Sequence, residues 1–180
     1  DFDDMTGGNT MTTGQWELTA DFYIPGSFLG DTYFIVMNNY DDPNTLLEWS
    51  IQVGFNSGTA SMECDCGSTL KFTAPMIYDQ WYECRWVIDL SGDWVDFYYD
   101  TAGLNATTGY AWSKGVFGQD AYATNQIGAI DLYPDSTIVP AFDPIYVDNI
   151  KIVPYLGAPG VEYCFGRTSL GNPCPCGNDN

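Results

Sequence analysis

The sequence predicts an all-β domain built as a two-sheet antiparallel sandwich of the jelly-roll type, and three observations support this prediction. Aromatic residues make up 16% of the 180-residue chain, and aromatic side chains favour strands. Apolar and polar residues alternate in short runs that recur about every ten residues. The segments between the runs are rich in Gly, Pro, Asn and Asp, which favour turns, and no long run of helical period is present.

The first half of the chain contains five predicted strands. In the first of them, every second residue from Trp16 to Ile24 is apolar, so these side chains share one face. Pro25 and Gly26 end this strand. The last two strands form a predicted hairpin around Gly67. The five segments are 16–24, 32–40, 48–56, 60–66 and 68–74.

The second half adds four strands and a tail. The clearest is WYECRWVIDL, where alternate residues from Tyr82 to Leu90 are apolar. The stretch 101–125 is predicted to be irregular. The sequence thus predicts one jelly-roll domain over 1–154 and a linker with a cysteine-rich tail over 155–180. The four strands are predicted at 81–90, 94–100, 127–135 and 145–154.

The six cysteines divide into three in the body and three in the tail. They are Cys64, Cys66, Cys84, Cys164, Cys174 and Cys176. Full pairing of two odd sets requires a bridge between body and tail, or between two chains. Since Cys64 and Cys66 share a strand face, we expect one to bridge Cys84 and the other to reach the tail. Zinc ligation by the two Cys-x-Cys pairs is the alternative.

The charge balance and the cysteines limit the compartment and the chemistry. A formal charge of −19 disfavours nucleic acid and anionic membrane surfaces as partners. The chain contains no His, which excludes Ser–His and Cys–His hydrolysis. Six cysteines with few Lys residues favour an oxidising compartment, so a secreted, extracellular protein is predicted. No apolar run is long enough for a membrane span.

Two further patterns concern ligands and modification. The segment Asn105-Ala106-Thr107 matches the N-glycosylation pattern, which makes Asn105 a candidate site. Clustered Asp and Asn oxygens suit calcium. The candidate calcium ligands are Asp1, Asp3, Asp4 and Asp148. We predict no catalytic, cofactor or metal residue, and calcium is the one cofactor left open.

Several segments together resemble the secreted bacterial concanavalin A-like (laminin-G-like) jelly rolls. They are GQWELTADFYIP, GDTYFIVMNNYDD, EWSIQVGF, WYECRWVIDLSGDWVDFYYD, AIDLYP and YVDNIKIVP. The tail YCFG…CPCGN is similar to cysteine-containing modules that follow such domains. The resemblance implies a jelly roll and allows either carbohydrate binding or glycoside hydrolysis.

Glycoside hydrolases of this kind resemble one another through a Glu-x-Asp-x-x-Glu strand that carries the two carboxylates. The five Glu residues of the chain do not show this spacing, so the sequence predicts that the protein is not an enzyme. The candidate side chains for stacking on sugar rings are Tyr98, Tyr99, Tyr110 and Trp112. Trp112 is the predicted exposed ring, since it lies in the irregular stretch.

The leading functional prediction is a non-catalytic extracellular structural protein that assembles with copies of itself. Related domains carry an additional opening strand, so we expect either that the chain is a processed fragment or that the edge near 146–153 lacks its partner. Head-to-tail strand addition at this edge, with the disulfide-anchored tail, would build a filament. The alternative is a carbohydrate-binding module of a secreted or cell-surface protein, with a polysaccharide as its partner.

Overall fold

The computed structural model describes residues 11–40, 47–66, 69–100, 108–114, 125–135 and 144–156. Within these ranges the chain forms ten strands and one 3-10 helix, Trp112–Lys114. No helix among them is long and apolar enough to cross a bilayer. The strands are Gln15–Tyr23 (β1), Asp31–Tyr40 (β2), Leu47–Asn56 (β3), Ser61–Cys66 (β4), Thr69–Pro75 (β5), Trp81–Asp89 (β6), Trp94–Tyr99 (β7), Thr108–Tyr110 (β8), Ala129–Asp135 (β9) and Tyr146–Pro154 (β10).

The strands form two antiparallel sheets packed as a sandwich, which confirms the predicted fold class. Sheet 1 has the order β10-β1-β6-β7-β8, and sheet 2 has the order β5-β4-β3-β2-β9. Each pair of neighbouring strands is antiparallel. The tail lies outside the described residues, so its disulfide tether stays a prediction.

Alternation in the sequence explains which faces meet in the core. In β1, Leu18, Ala20 and Phe22 are buried, and the residues between them are partly exposed. β6 follows the same rule from Tyr82 to Ile88. Because alternate residues of a strand point to opposite sides of a sheet, both strands present one apolar face to sheet 2.

The centre of the core is a stack of aromatic rings that joins the sheets. The Trp86 indole lies between the rings of Phe34 and Phe97, with centroids 5.2 Å apart on each side. The interplanar angles are 12° and 22°. Phe34 comes from sheet 2, and the other two rings come from sheet 1. Stacking of this kind stabilises a core beyond the burial of apolar area.

Within the described residues, the edge at 146–153 is open on one side, as the sequence predicts. On its other side, β10 pairs with β1 along its length, from Tyr146 opposite Tyr23 to Pro154 opposite Trp16. Among the described residues, β10 has a neighbour on one side and forms the border of sheet 1.

The stretch 101–125, which the sequence predicts to be irregular, contains regular structure in its described residues 108–114. Thr108–Tyr110 forms the short strand β8 at the border of sheet 1, and the 3-10 helix follows it. Asp93, with a φ of 52°, holds this helix. It accepts hydrogen bonds from the backbone N and the Oγ of Ser113, both at 2.7 Å.

Candidate functional site

The outer face of sheet 2 carries a cluster of polar side chains. Core-facing residues of β3 and β4, such as Val53 and Cys64, are fully buried. The residues between them lie on the outer face, because side chains alternate along a strand. With residues of β2 they line a cavity of about 80 Å³, which we call the polar pocket: Asp31, Tyr33, Gln52, Gly54, Phe55, Asn56, Glu63 and Asp65.

The strand register brings these residues together from three strands. Gln52 of β3 is paired with Asp65 of β4, and Gly54 is paired with Glu63. On the other side of β3, Gly54 is paired with Tyr33 of β2. The pocket therefore exists only when β2, β3 and β4 are in register.

A glycine allows an aromatic ring to form one wall of the pocket. A Cβ atom at Gly54 would lie 3.0 Å from Cε1 and 3.2 Å from Cδ1 of Tyr33. The ring thus lies directly over the glycine, where a larger residue would displace it. The ring centroid of Tyr133, on β9, is 6.2 Å away. Tyr133 is 51% exposed, so the two tyrosines form an accessible aromatic ledge beside the pocket.

Hydrogen bonds fix the amide group of Gln52. Its Oε1 accepts a bond of 3.2 Å from Nε1 of Trp49, and its Nε2 donates to Oδ2 of Asp65 at 3.4 Å. A second chain of bonds reaches Glu63, whose Oε1 accepts a bond of 3.1 Å from Oγ of Ser61. Polar groups held in this way are preorganised for a ligand, because little side-chain freedom remains to be lost on binding.

The environment of the pocket favours a protonated carboxyl group. Burial raises the pKa of Asp65; the hydrogen bond from Gln52 opposes this effect, and the charge of Glu63 adds to it. Asp31 is only 7% exposed at the other end of the pocket. The pocket therefore combines one carboxyl group whose pKa is raised with two further acidic side chains.

Glu48 is a second buried acidic group, separate from the pocket. Its side chain is buried, and burial raises its pKa. Neither of its carboxylate oxygens has a hydrogen-bond partner within the part of the chain that the structure describes. A buried carboxylate without partners destabilises a fold when it is charged.

The substitution Glu48→Gln is expected to stabilise the protein by about 1–2 kcal/mol at pH 7, because a neutral amide replaces a buried charge. The pKa of Glu48 is raised by folding, so its destabilising effect is absent below its unfolded-state pKa and develops as pH rises through the folded value. The gain should therefore shrink at pH 4. Thermal melts at both pH values test this, with Glu83→Gln on the outer face of sheet 1 as the control; equal gains at both pH values would contradict it.

Trp112, the predicted exposed ring, is fully buried, and this corrects the sequence interpretation. Its Nε1 donates to the backbone oxygen of Gln126 at 3.1 Å. Its own carbonyl oxygen accepts a bond of 2.7 Å from Oγ of Ser50. The ring belongs to the main core cluster, because the 3-10 helix packs against sheet 2. Trp112 is therefore a core residue, and its ring offers no surface for stacking on a sugar.

The other predicted residues are only partly described. Cys64 and Cys84 are buried in the core, and the backbone of Cys66 ends β4. Asp148 is exposed on β10, and its Oδ1 accepts a bond from the backbone N of Asn149. In the described ranges no three His, Cys, Asp or Glu residues come together as a metal site. Asn105, Cys164, Cys174, Cys176, Asp1, Asp3 and Asp4 lie outside the described residues.

The outer face of sheet 1 carries a different surface, a row of three aromatic rings on neighbouring strands. The ring centroid of Tyr23 lies 5.6 Å from that of Trp81 and 6.1 Å from that of Tyr146. Trp81 is 52% exposed. The rings are tilted by 47° and 67° to one another, so they do not form a flat platform. Two positions along the same strands, the register places Asp21 beside Glu83 and Asp148.

The sequence interpretation missed the polar pocket. Its signal was present: residues 52, 54 and 56, and residues 63 and 65, are polar or Gly at alternate positions of apolar strands. Glu63 and Asp65 also form a Glu-x-Asp pair, although the third carboxylate of the hydrolase motif is missing. The sequence alone does not give the strand register, which places Tyr33 and Gln52 beside Glu63 and Asp65.

Comparison with solved structures finds similar folds in carbohydrate-active enzymes. The catalytic domain of a glycoside hydrolase family 131 protein from Coprinopsis cinerea has a TM-score of 0.52 and 14% identity, covering 82% of this chain and 59% of that chain. A Trypanosoma rangeli sialidase has a TM-score of 0.52 and 12% identity, covering 77% of this chain and 20% of the sialidase. A β-glucanase catalytic domain of family 131 from Podospora anserina reaches 0.49 with 11% identity, covering 80% and 60%.

The likenesses to the first two structures show the fold, which agrees with the resemblance to concanavalin A-like jelly rolls. The chain spans less than two thirds of the length of each of these structures. No protein-family model matches the chain, and no sequence of a curated protein does.

The prediction that the chain is not an enzyme is corrected by this finding. The first neighbour is the catalytic domain of a glycoside hydrolase, so catalysis occurs on this fold. The absence of one Glu-x-Asp-x-x-Glu motif was too narrow a criterion, because carboxylates also meet through strand register. The predicted self-assembling structural role gains no support from these neighbours, which fit the carbohydrate-binding alternative better.

Proposed function

We propose that the chain binds a carbohydrate at the polar pocket and the adjacent aromatic ledge. The observation that carries this proposal is the meeting of three carboxyl groups, two amides and an accessible tyrosine pair on one sheet face. Carboxylate and amide oxygens accept hydrogen bonds from hydroxyl groups, and aromatic faces pack against the apolar faces of sugar rings. The carbohydrate-active enzymes with a similar fold support the same ligand class.

The size of the pocket indicates how such a ligand would lie. A cavity of about 80 Å³ is far smaller than the ~300–1,000 Å³ of pockets that enclose a small molecule. It therefore accommodates the polar edge of one sugar unit. The ring of that sugar, or of its neighbour, would lie on Tyr33 and Tyr133, so a chain can extend across the sheet.

The charge of the site limits the type of carbohydrate. Asp31, Glu63 and Asp65 give the pocket a negative potential, within a chain whose formal charge is −19. Anionic sugars such as uronic acids are repelled by such a field. We therefore expect neutral or amino-substituted saccharides to bind. A secreted location, which the cysteines favour, would suit an extracellular polysaccharide ligand.

The substitution Tyr33→Ala is expected to weaken saccharide binding about ten-fold, which corresponds to about 1.4 kcal/mol, because it removes the stacking surface. Binding is measured by titration calorimetry with soluble β-glucan, galactan, chitosan oligosaccharide and polygalacturonate. Trp81→Ala is the matched control, since it removes an exposed ring from the outer face of sheet 1. The proposal fails if no saccharide binds, or if Trp81→Ala weakens binding as much as Tyr33→Ala.

A second candidate function, glycoside hydrolysis, is favoured by the state of Asp65. Hydrolysis requires one carboxyl group that holds a proton and one that is ionised. The pKa of Asp65 is raised by burial and by the charge of Glu63, which lies two residues away on the same face. Both residues line the polar pocket, and glycosidases use a pair of carboxyl groups on either side of the scissile bond.

A further inference from the structure

Two buried cysteines come from opposite sheets of the sandwich. Cys64 lies on β4 of sheet 2, and Cys84 lies on β6 of sheet 1. Both are fully buried and belong to the same core cluster. Since both side chains occupy core-facing positions, each thiol points toward the opposite sheet.

The strand register places the two cysteines at the same level of the core. Cys64 is paired with Phe72 of β5, and Cys84 is paired with Tyr99 of β7. The rings of Phe72 and Tyr99 meet across the core, with centroids 6.4 Å apart. The ring contact joins the two cross-strand pairs, one from each sheet, and both cysteines lie in the core cluster that these rings border.

One neighbour of Cys84 is small: Ala20 is paired with it on the β1 side and is also fully buried. A disulfide requires a Cα–Cα separation of about 4.4–6.8 Å, which is less than the ~10 Å between packed sheets. The proposed bond therefore requires the two sheets to lie closer together at these two residues than at their average spacing.

The effect of Cys64 on the pKa of Cys84 agrees with the position of both thiols in one core cluster. Burial is the main cause that raises the pKa of Cys84; the backbone amide of Asp100 opposes it, and the nearby Cys64 raises it further. A buried thiol with a raised pKa contains little thiolate, which is the reactive form. Thiol chemistry at this position is therefore slow once the core has closed.

We propose that Cys64 and Cys84 form an inter-sheet disulfide as the chain folds. One thiolate attacks the disulfide of a thiol–disulfide oxidant, which forms a mixed disulfide and releases one thiolate of the oxidant. The second cysteine thiolate then attacks the protein sulfur of that mixed disulfide, forming the Cys64–Cys84 bond and releasing the second oxidant thiolate. The two cysteines lose two electrons and two protons; the oxidant gains the electrons, and its thiolates take up protons.

The proposal selects one pairing from those that the sequence leaves open. With Cys64 and Cys84 joined, Cys66 and the three cysteines after residue 160 remain, which is an even number. The bond also closes the loop from β4 to β6. It would thus connect the two sheets covalently through the middle of the core.

Peptide mapping of the full chain tests the bridge. The chain is refolded with reduced and oxidised glutathione, its remaining thiols are alkylated in denaturant, and it is digested with trypsin without reduction. Cleavage after Lys71 and Arg85 separates peptide 1–71, which contains Cys64 and Cys66, from peptide 72–85, which contains Cys84. We expect these two peptides to be linked, and the link to disappear on reduction.

The variant Cys66→Ser distinguishes the two cysteines of the first peptide, and the link should persist in it at the wild-type yield. The matched variant Cys64→Ala should abolish the link to peptide 72–85. The proposal is overturned if Cys84 is alkylated in the refolded wild type, if it is linked to a peptide from 152–180, or if the link is lost in Cys66→Ser.

Discussion

Replacing Trp112 with alanine is expected to lower the free energy of unfolding by about 3–5 kcal/mol, the range for truncating a large buried aromatic side chain. The indole is fully buried in the main cluster and donates a hydrogen bond to Gln126. Alanine would leave a cavity in the core and remove the donor to that carbonyl group. The 3-10 helix would still be held by the hydrogen bonds of Ser113 to Asp93 and of Ser50 to the carbonyl oxygen of residue 112.

Urea unfolding of the wild type and the variant, followed by circular dichroism, measures this loss. Trp94→Ala is the control, since Trp94 is 46% exposed and its removal should cost less than about 1 kcal/mol. Saccharide binding measured on the folded fraction should be unchanged in Trp112→Ala. If the variant instead kept its stability and lost binding, Trp112 would be a surface contact as the sequence suggested.

If the protein hydrolyses the bound polysaccharide, Asp65→Asn is expected to reduce the rate of cleavage by about 10²–10⁴-fold. This is the usual contribution of an acid–base group. Asparagine keeps the shape and the hydrogen bond to Gln52 but holds no transferable proton. Release of reducing ends from the neutral saccharides in the calorimetry panel measures the rate.

The pH dependence of the hydrolysis rate tests whether Asp65 acts as the general acid. A general acid must be protonated, so the wild-type rate should fall as pH rises through the raised pKa of Asp65. Asp148→Asn is the matched control, because it neutralises an exposed carboxylate on sheet 1. If the wild type binds a saccharide but releases no reducing ends, the hydrolysis candidate fails and the binding proposal stands.

The sandwich could be predicted from the sequence because apolar and polar residues alternate along most of its strands. β6 occupies Trp81–Asp89 where 81–90 was predicted, and β10 occupies Tyr146–Pro154 where 145–154 was predicted. β8 was missed, since three residues are too few to show a period. The role of Asp93 in holding Ser113 could not be predicted either, because it depends on a contact between residues that are twenty positions apart.

The polar pocket could not be predicted, because it depends on which strands are neighbours. Gln52 and Asp65 are thirteen residues apart and meet only through the register of β3 and β4. Tyr33 reaches the pocket only because Gly54 leaves space above the sheet. Trp112 shows the opposite failure, since irregular backbone in the sequence suggested an exposed ring, and tertiary packing buried it.

The Phe34–Trp86–Phe97 stack provides the protein with an optical signal of its own native state. An indole held rigidly between two nearly parallel rings, shielded from water, should give a strong near-ultraviolet circular dichroism band and blue-shifted fluorescence. Trp81 and Trp94 on the surface should instead emit at longer wavelength and be quenched by acrylamide. Trp112 is equally buried and adds to the fluorescence, so separation of the two sheets is followed through these two core indoles without attaching any label.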